Sequence, residues 1–327
     1  MSSIMITSHR RRRSSQTGLF VLRLVVTVLL LTWLLRQAVG EKILAVLMRS
    51  EPTWLVISLF CCAMVHLTSG ATTWLLLRDH GYSIGPGVIL ANHLRGLFAA
   101  QFLPSAVLAD VIRVQLITKS ASHVSWTSFG SILTIQRLAG LCVAIVSVMT
   151  LFPWIRFQSE WWLPWILFIG SFLGVALYGA IFYLLERTRD SVVPEGSLRT
   201  DSRYGRMISL AVIGAILQQM GLVCVVFAAS RSLQLNTDLF ALAFVTPLSL
   251  LLAALPISIN GLGVREFAYF SVLTHYGMTA SESIALSFGV FLVGMFFGAT
   301  GGIVWLILGS GWKPHAGALE TAQKGTA

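Results

Sequence analysis

Apolar residues in this chain fall in long unbroken runs, and the polar residues collect between them. Full-length runs lie at 19–35, 54–77, 126–152, 163–185, 207–229 and 284–308. Each is close to the roughly 20 residues that cross a bilayer core as a helix. Two further stretches are apolar but interrupted. One covers 88–103, stops at Leu103-Pro104-Ser105 and resumes over 106–117. The other covers 239–255, breaks at PISINGLGVRE (256–266) and resumes over 264–273. The pattern predicts an all-α polytopic membrane helix bundle of six full spans plus two broken hairpins. A basic tail, 1–18, would precede a single transmembrane domain, 19–309, with a polar tail, 310–327, after it; both tails read as disordered.

The second break carries the most chemistry. A proline, an asparagine and two glycines stop any helix there. Backbone that leaves a helix inside a membrane loses its internal hydrogen bonds, so it persists only when buried in protein or lining a wet cavity. Arg265 and Glu266 follow at once, and an ionisable pair at that depth is a functional candidate by default.

The two interrupted stretches resemble each other. Leu103-Pro104 leads to Arg113 and Leu255-Pro256 leads to Arg265 at the same offset, and each hairpin lies between full spans. This reads as an internal repeat. With the N-terminus inside, the inner segments hold the arginines of 10–13, Arg78, Lys119, the arginines of 186–206, Lys313 and Lys324. The outer ones hold only Arg36, Lys42, Arg49, Arg156 and Arg231. That bias fixes the orientation by the positive-inside rule, with both termini cytoplasmic at the inner (plasma) membrane. It also gives the two hairpins opposite orientations, an inverted repeat of the kind found in many secondary transporters.

Composition agrees. Of 327 residues, 56% are hydrophobic and 11% charged, with a mean hydropathy of +0.80. Soluble domains carry about twice that charge. The net charge of +10 is then read as basic loops meeting anionic lipid, and nucleic-acid binding is excluded for want of a basic and aromatic surface outside the spans. Cys61, Cys62, Cys142 and Cys224 all lie in apolar runs without metal or disulfide spacing, and read as packing residues. His66 and His93 have no second ligand at helical spacing and read as packed histidines. No cofactor, P-loop, dinucleotide or nucleophile-elbow pattern is present in the sequence.

Candidate substrate-binding residues are Asp110, Arg113, Arg137, Asn260, Gly261, Gly263, Arg265 and Glu266. Gly261 and Gly263 would leave amides free at the start of helix 264–273, where N–H donors and the helix dipole favour an anion. Arg265 would add a planar fork, and Glu266 would hold that arginine when no ligand is bound. A purely local Arg265–Glu266 ion pair fixing the hairpin is the structural alternative. Asp110 and Arg113 are one turn apart on one face, the spacing of an ordinary helical ion pair as well as of a binding site. Arg137, in mid-span, needs a partner such as Asp110 or Glu266.

These residues carry a resemblance. LPISINGLGVRE with the later YGMTASE, and LPSAVLADVIR followed by QRLAGL, resemble the two signatures of the lysylphosphatidylglycerol synthase transmembrane-domain family over roughly residues 20–310. In the first signature, the family's usual asparagine before Leu-Pro and glycines before the aspartate are replaced by Gln101-Phe102 and Leu108-Ala109. The resemblance implies a flippase-like inner-membrane protein without catalytic chemistry. It would move a phospholipid or polyprenyl-linked lipid between leaflets, with Asp110, Arg113, Arg137, Gly261, Gly263, Arg265 and Glu266 at the site. Two other readings stay open. One is a membrane-embedded transferase acting on a lipid-linked substrate; the other is an accessory subunit partnering a lipid-pathway enzyme.

Overall fold

The computed structural model describes residues 40–102, 106–121, 124–152, 201–255, 258 and 261–308, with scattered positions between 25 and 36. Every element among them is helical: α1 (Gly40–Met48), α2 (Pro52–Asp79), α3 (Pro86–Phe102), α4 (Ala106–Ser120), α5 (Trp126–Leu151), α6 (Asp201–Ser232), α7 (Leu239–Ala254), α8 (Val264–Leu273) and α9 (Ala280–Leu308). A short 3₁₀ turn, Thr274–Tyr276, follows α8. The expected span 163–185, both tails and most of the run 19–35 lie outside the described residues.

Helix ends follow local chemistry. Pro52 opens α2, where its missing N–H costs nothing. Ser125 caps α5 by accepting from Ser128 N at 3.1 Å. Asp238 caps α7 by accepting from Phe240 N at 2.7 Å. Before α9, Thr279 and Glu282 satisfy each other's backbone N–H groups in a capping box.

Four described helices are long and apolar enough to cross a bilayer: Pro52–Asp79, Trp126–Leu151, Gly205–Ser232 and Ala280–Leu308. Their outward faces expose large apolar side chains, among them Phe60, Val146, Met220, Phe296 and Leu306, where lipid rather than water meets them. The chain is thus a helical membrane protein. Two boundaries differ from expectation. Residues 201–206 are not loop but the first turns of α6, with Arg206 reaching Asp79 at 3.7 Å. The stretch 40–48 forms a short helix that sets Ile43 against Ile284 and Ala285. At nine residues it is too short to register as a span.

The bundle is centred on α2 and α6. Glu51 O accepts from Ser232 Oγ at 3.3 Å, Ser58 Oγ donates to Val225 O at 3.0 Å, and Asp79 meets Arg206. Ascending numbers on one helix meet descending numbers on the other, so the two run antiparallel. Around them the packing pairs off. The hairpin α3–α4 packs on α2, α5 and α9, and the hairpin α7–α8 packs on α6, α9 and α5. Exchanging α2 with α6, α3 with α7, α4 with α8 and α5 with α9 turns each of these packings into another that is also present.

Candidate functional site

The first hairpin brings ionisable groups together in the bundle interior. On α4, Arg113 Nη1 donates to Asp110 Oδ1 at 3.3 Å, as the one-turn spacing requires. From α5, Arg137 Nη2 reaches Asp110 Oδ2 at 2.9 Å. One carboxylate therefore serves two guanidiniums and leaves an excess positive charge among apolar helices. Next to Arg137 in sequence, Gln136 ties α5 to α2: it accepts from Thr73 Oγ1 at 2.8 Å and donates to Ser69 O at 3.1 Å.

The opposite arm is shaped to receive Arg113. Gly96 on α3 lies under its aliphatic stem, where any Cβ would collide with Arg113 Cγ and Cδ. Asn92 Nδ2 donates to the Arg113 carbonyl at 3.1 Å. Arg113 Nη2 lies 3.2 Å from His93 Nδ1. His93 Nε2 lies 3.3 Å from His66 Nδ1 on α2, and His66 Nε2 lies 3.5 Å from Cys62 Sγ. Phe297 of α9 packs on the His66 ring, with centroids 5.0 Å apart. A continuous polar thread thus runs from Cys62 to Arg137. Among the described residues, Arg113 Nε and Asn92 Oδ1 are buried in it without a protein partner.

The second hairpin is arranged differently. Gly261 and Gly263 take φ of +75° and +84°, values open to glycine and strained for other residues. Gly261 also lies against Ala253, where a Cβ would clash. The tight turn opens α8, and Glu266 closes it: its Oε2 accepts from Gly263 N at 2.6 Å, and its Oε1 accepts from Ser287 Oγ at 3.4 Å. Glu266 is fully enclosed, at 0% exposure. Arg265 points elsewhere, with its guanidinium 5.5 Å from the centroid of Phe291 on α9.

The chain matches the family described as the lysylphosphatidylglycerol synthase TM region over residues 20–302. It belongs to that family. No curated protein matches it. Membership makes this an integral membrane protein of lipid metabolism or transport, as the resemblance in the two hairpin signatures implies.

Within the family's two signatures, the expected residues divide. Asp110, Arg113 and Arg137 come together, and Asp110 is the partner that Arg137 needs. Gly261, Gly263 and Glu266 come together as a helix cap. Asn260, Pro104 and Pro256 lie outside the described residues. Two expectations fail. Glu266 does not hold Arg265, because adjacent residues on a helix point about 100° apart. Nor is the Gly263 N–H free for an anion as expected, since Glu266 already takes it.

Two residues that read as mere packing along the sequence belong in the site. His93 has no partner along its own helix and His66 only Cys62, one turn away, yet the two rings meet across α2 and α3. Helical spacing tests only neighbours on one helix. Two polar rings in consecutive apolar segments are the available signal.

Proposed function

We propose that this protein carries lipids with an anionic headgroup between leaflets, acting as a transporter without chemistry of its own. One observation carries the reading: two guanidiniums share one carboxylate in the interior of a membrane bundle. A phosphate would complete the charge balance and could accept from the buried Arg113 Nε. Asp110 then serves as placeholder, holding Arg113 and Arg137 in place until the headgroup displaces it. Arginine suits this because its planar fork binds phosphate through two parallel bonds.

The inverted-repeat reading gains support from the antiparallel α2 and α6 and from the exchange of packings between halves. Both hairpins also reach the middle of α9. Arg265 lies over Phe291, and one turn on, Gln101 Nε2 donates to Met295 O at 3.1 Å. Rocking of the two halves about this shared stretch would expose the headgroup site to each face in turn, with both termini on the cytoplasmic side of the inner membrane.

The test is translocation of fluorescent phosphatidylglycerol in proteoliposomes, read by quenching of the outer leaflet, with fluorescent phosphatidylcholine as the zwitterionic control. The wild type is expected to move the anionic probe faster. Loss of one charged hydrogen-bonding group removes about 1.5–3 kcal/mol, so Arg137→Ala and Arg113→Ala should each slow it roughly 10- to 100-fold. Equal movement of both probes, or undiminished movement in both variants, would sink the reading.

A further inference from the structure

The thread from Arg113 to Cys62 has a direction. Arginine can only donate, so His93 Nδ1 must be the acceptor of the 3.2 Å contact. A neutral imidazole has one N–H, so His93 carries its proton on Nε2 and donates to His66 Nδ1 at 3.3 Å. His66 in turn carries its proton on Nε2 and points it at Cys62 Sγ, 3.5 Å away. Both rings are neutral, and their only lone pairs, the two Nδ1 atoms, are already occupied.

An added proton therefore has no empty place. If it binds His93 Nδ1, the Arg113 contact is lost directly. If it binds His66 Nδ1, the two rings present N–H to N–H. His93 relieves this by moving its own proton to Nδ1, and the Arg113 contact is lost again. Either way one proton is taken up, and one guanidinium is released from α3 toward the headgroup site. Other charged or titratable groups around the rings are Cys62 on α2, Arg95 on α3 itself, Asp110 on α4 and Arg137 on α5. From α6, Cys224 comes near Cys61. α9 contributes Phe297 and has no titratable residue after Glu282. No carboxylate touches either ring among the described residues, so nothing else neutralises the added charge.

We infer that His66 and His93 form a proton-binding site that couples the headgroup to a proton. A proton displaces Arg113, and Arg113 then binds the anion. Loss of the proton draws Arg113 back to His93 and releases the anion. Proton and anionic headgroup travel together, as a neutral pair. This rests on the translocation reading above, and two measurements keep the two apart.

In proteoliposomes, a pH difference of one unit should draw fluorescent phosphatidylglycerol toward the leaflet facing the alkaline side, by up to roughly tenfold for one coupled proton. His93→Gln and His66→Gln should abolish the asymmetry, and a variant that still gathers the probe on the alkaline side overturns the inference. A wild type that equilibrates the probe and ignores the gradient overturns the inference and leaves the translocation reading standing. In nanodiscs holding the full chain with ¹⁵N-labelled histidine and arginine, both rings should be Nε2–H tautomers at the alkaline end. On acidification from about pH 8 to about 3 they should gain one shared proton, in step with a shift of the Arg113 signal. If no probe moves, the translocation reading fails on its own account, and the spectrum judges the site. Rings that take no proton in that range, or take one without moving Arg113, overturn the inference.

Discussion

In the first hairpin, the second arm offers Asp110 and Arg113 to side chains on other helices: Arg137 on α5 and, through His93, His66 on α2. In the second hairpin, the corresponding arm's carboxylate takes its own backbone N–H at Gly263 and the neutral Ser287 hydroxyl of α9, and its guanidinium rests on a ring. Both hairpins break after Leu-Pro and carry an arginine nine residues beyond the proline. What differs is the surroundings. The first sits among Asn92, His93, His66 and Gln136, and the second among Tyr269, Phe291 and the neutral hydroxyls of Thr246, Ser249 and Ser287. One plan of backbone therefore yields a charged, exchangeable network in one half and a sealed turn in the other. Under the proposed translocation, the first half holds the headgroup and the second serves as its counterpart.

The sharpest way to break this contrast is to remove the shared carboxylate. Asp110→Ala leaves Arg113 and Arg137 side by side without a counter-charge. Removing one partner of a buried ion pair costs about 3–5 kcal/mol, and the residual exposure of these side chains puts the loss near the lower end. The double variant Asp110→Ala/Arg137→Met should recover only part of that loss, because it removes one of the two unpaired guanidiniums and leaves Arg113. Thermal unfolding in detergent, followed by tryptophan fluorescence, checks both. A single variant as stable as the wild type would mean that the two guanidiniums are solvated and do not depend on Asp110.

On the other side of the comparison, Glu266→Ala should cost about 1–2 kcal/mol, the usual loss for a helix cap, with translocation slowed far less than in Arg137→Ala. Gly261→Ala should cost about 2 kcal/mol or more, since it adds left-handed strain to the contact with Ala253. If either change instead stopped transport in a stable protein, the second hairpin would be a headgroup site and the assignment of roles would reverse.

The architecture is largely legible in the sequence because long apolar runs are a coarse and redundant signal. The expected spans 54–77, 126–152 and 284–308 lie within a few residues of α2, α5 and α9, and the breaks separate α3 from α4 and α7 from α8. The short helix α1 escapes such a reading because its nine residues are amphipathic rather than a long apolar run, with the apolar side packed on α9. The site is legible only where partners are local in sequence or where need is evident, as with Asp110 and Arg113 one turn apart and Arg137 in mid-span. Adjacency suggests a pairing of Glu266 with Arg265, although adjacency on a helix separates side chains. The pairing of His66 with His93 depends on how α2 meets α3, which no spacing within either helix reveals.

The mildest change tests the quiet half. Phe291→Leu keeps the volume beside Arg265 roughly constant and removes the aromatic face under it. A cation–ring contact of this kind contributes about 0.5–1 kcal/mol at a partly exposed site, so stability should fall by no more than that. The guanidinium loses its resting place but no ion pair, because among the described residues none holds it. Arg265 should then sample the interior more widely, and translocation of the anionic probe should change by about fivefold at most. An equal change in Arg265→Lys would place the effect in the ring contact. A loss as deep as that of Arg137→Ala would show that Arg265 meets the headgroup directly, and the two hairpins would then share the load that the present geometry gives to the first.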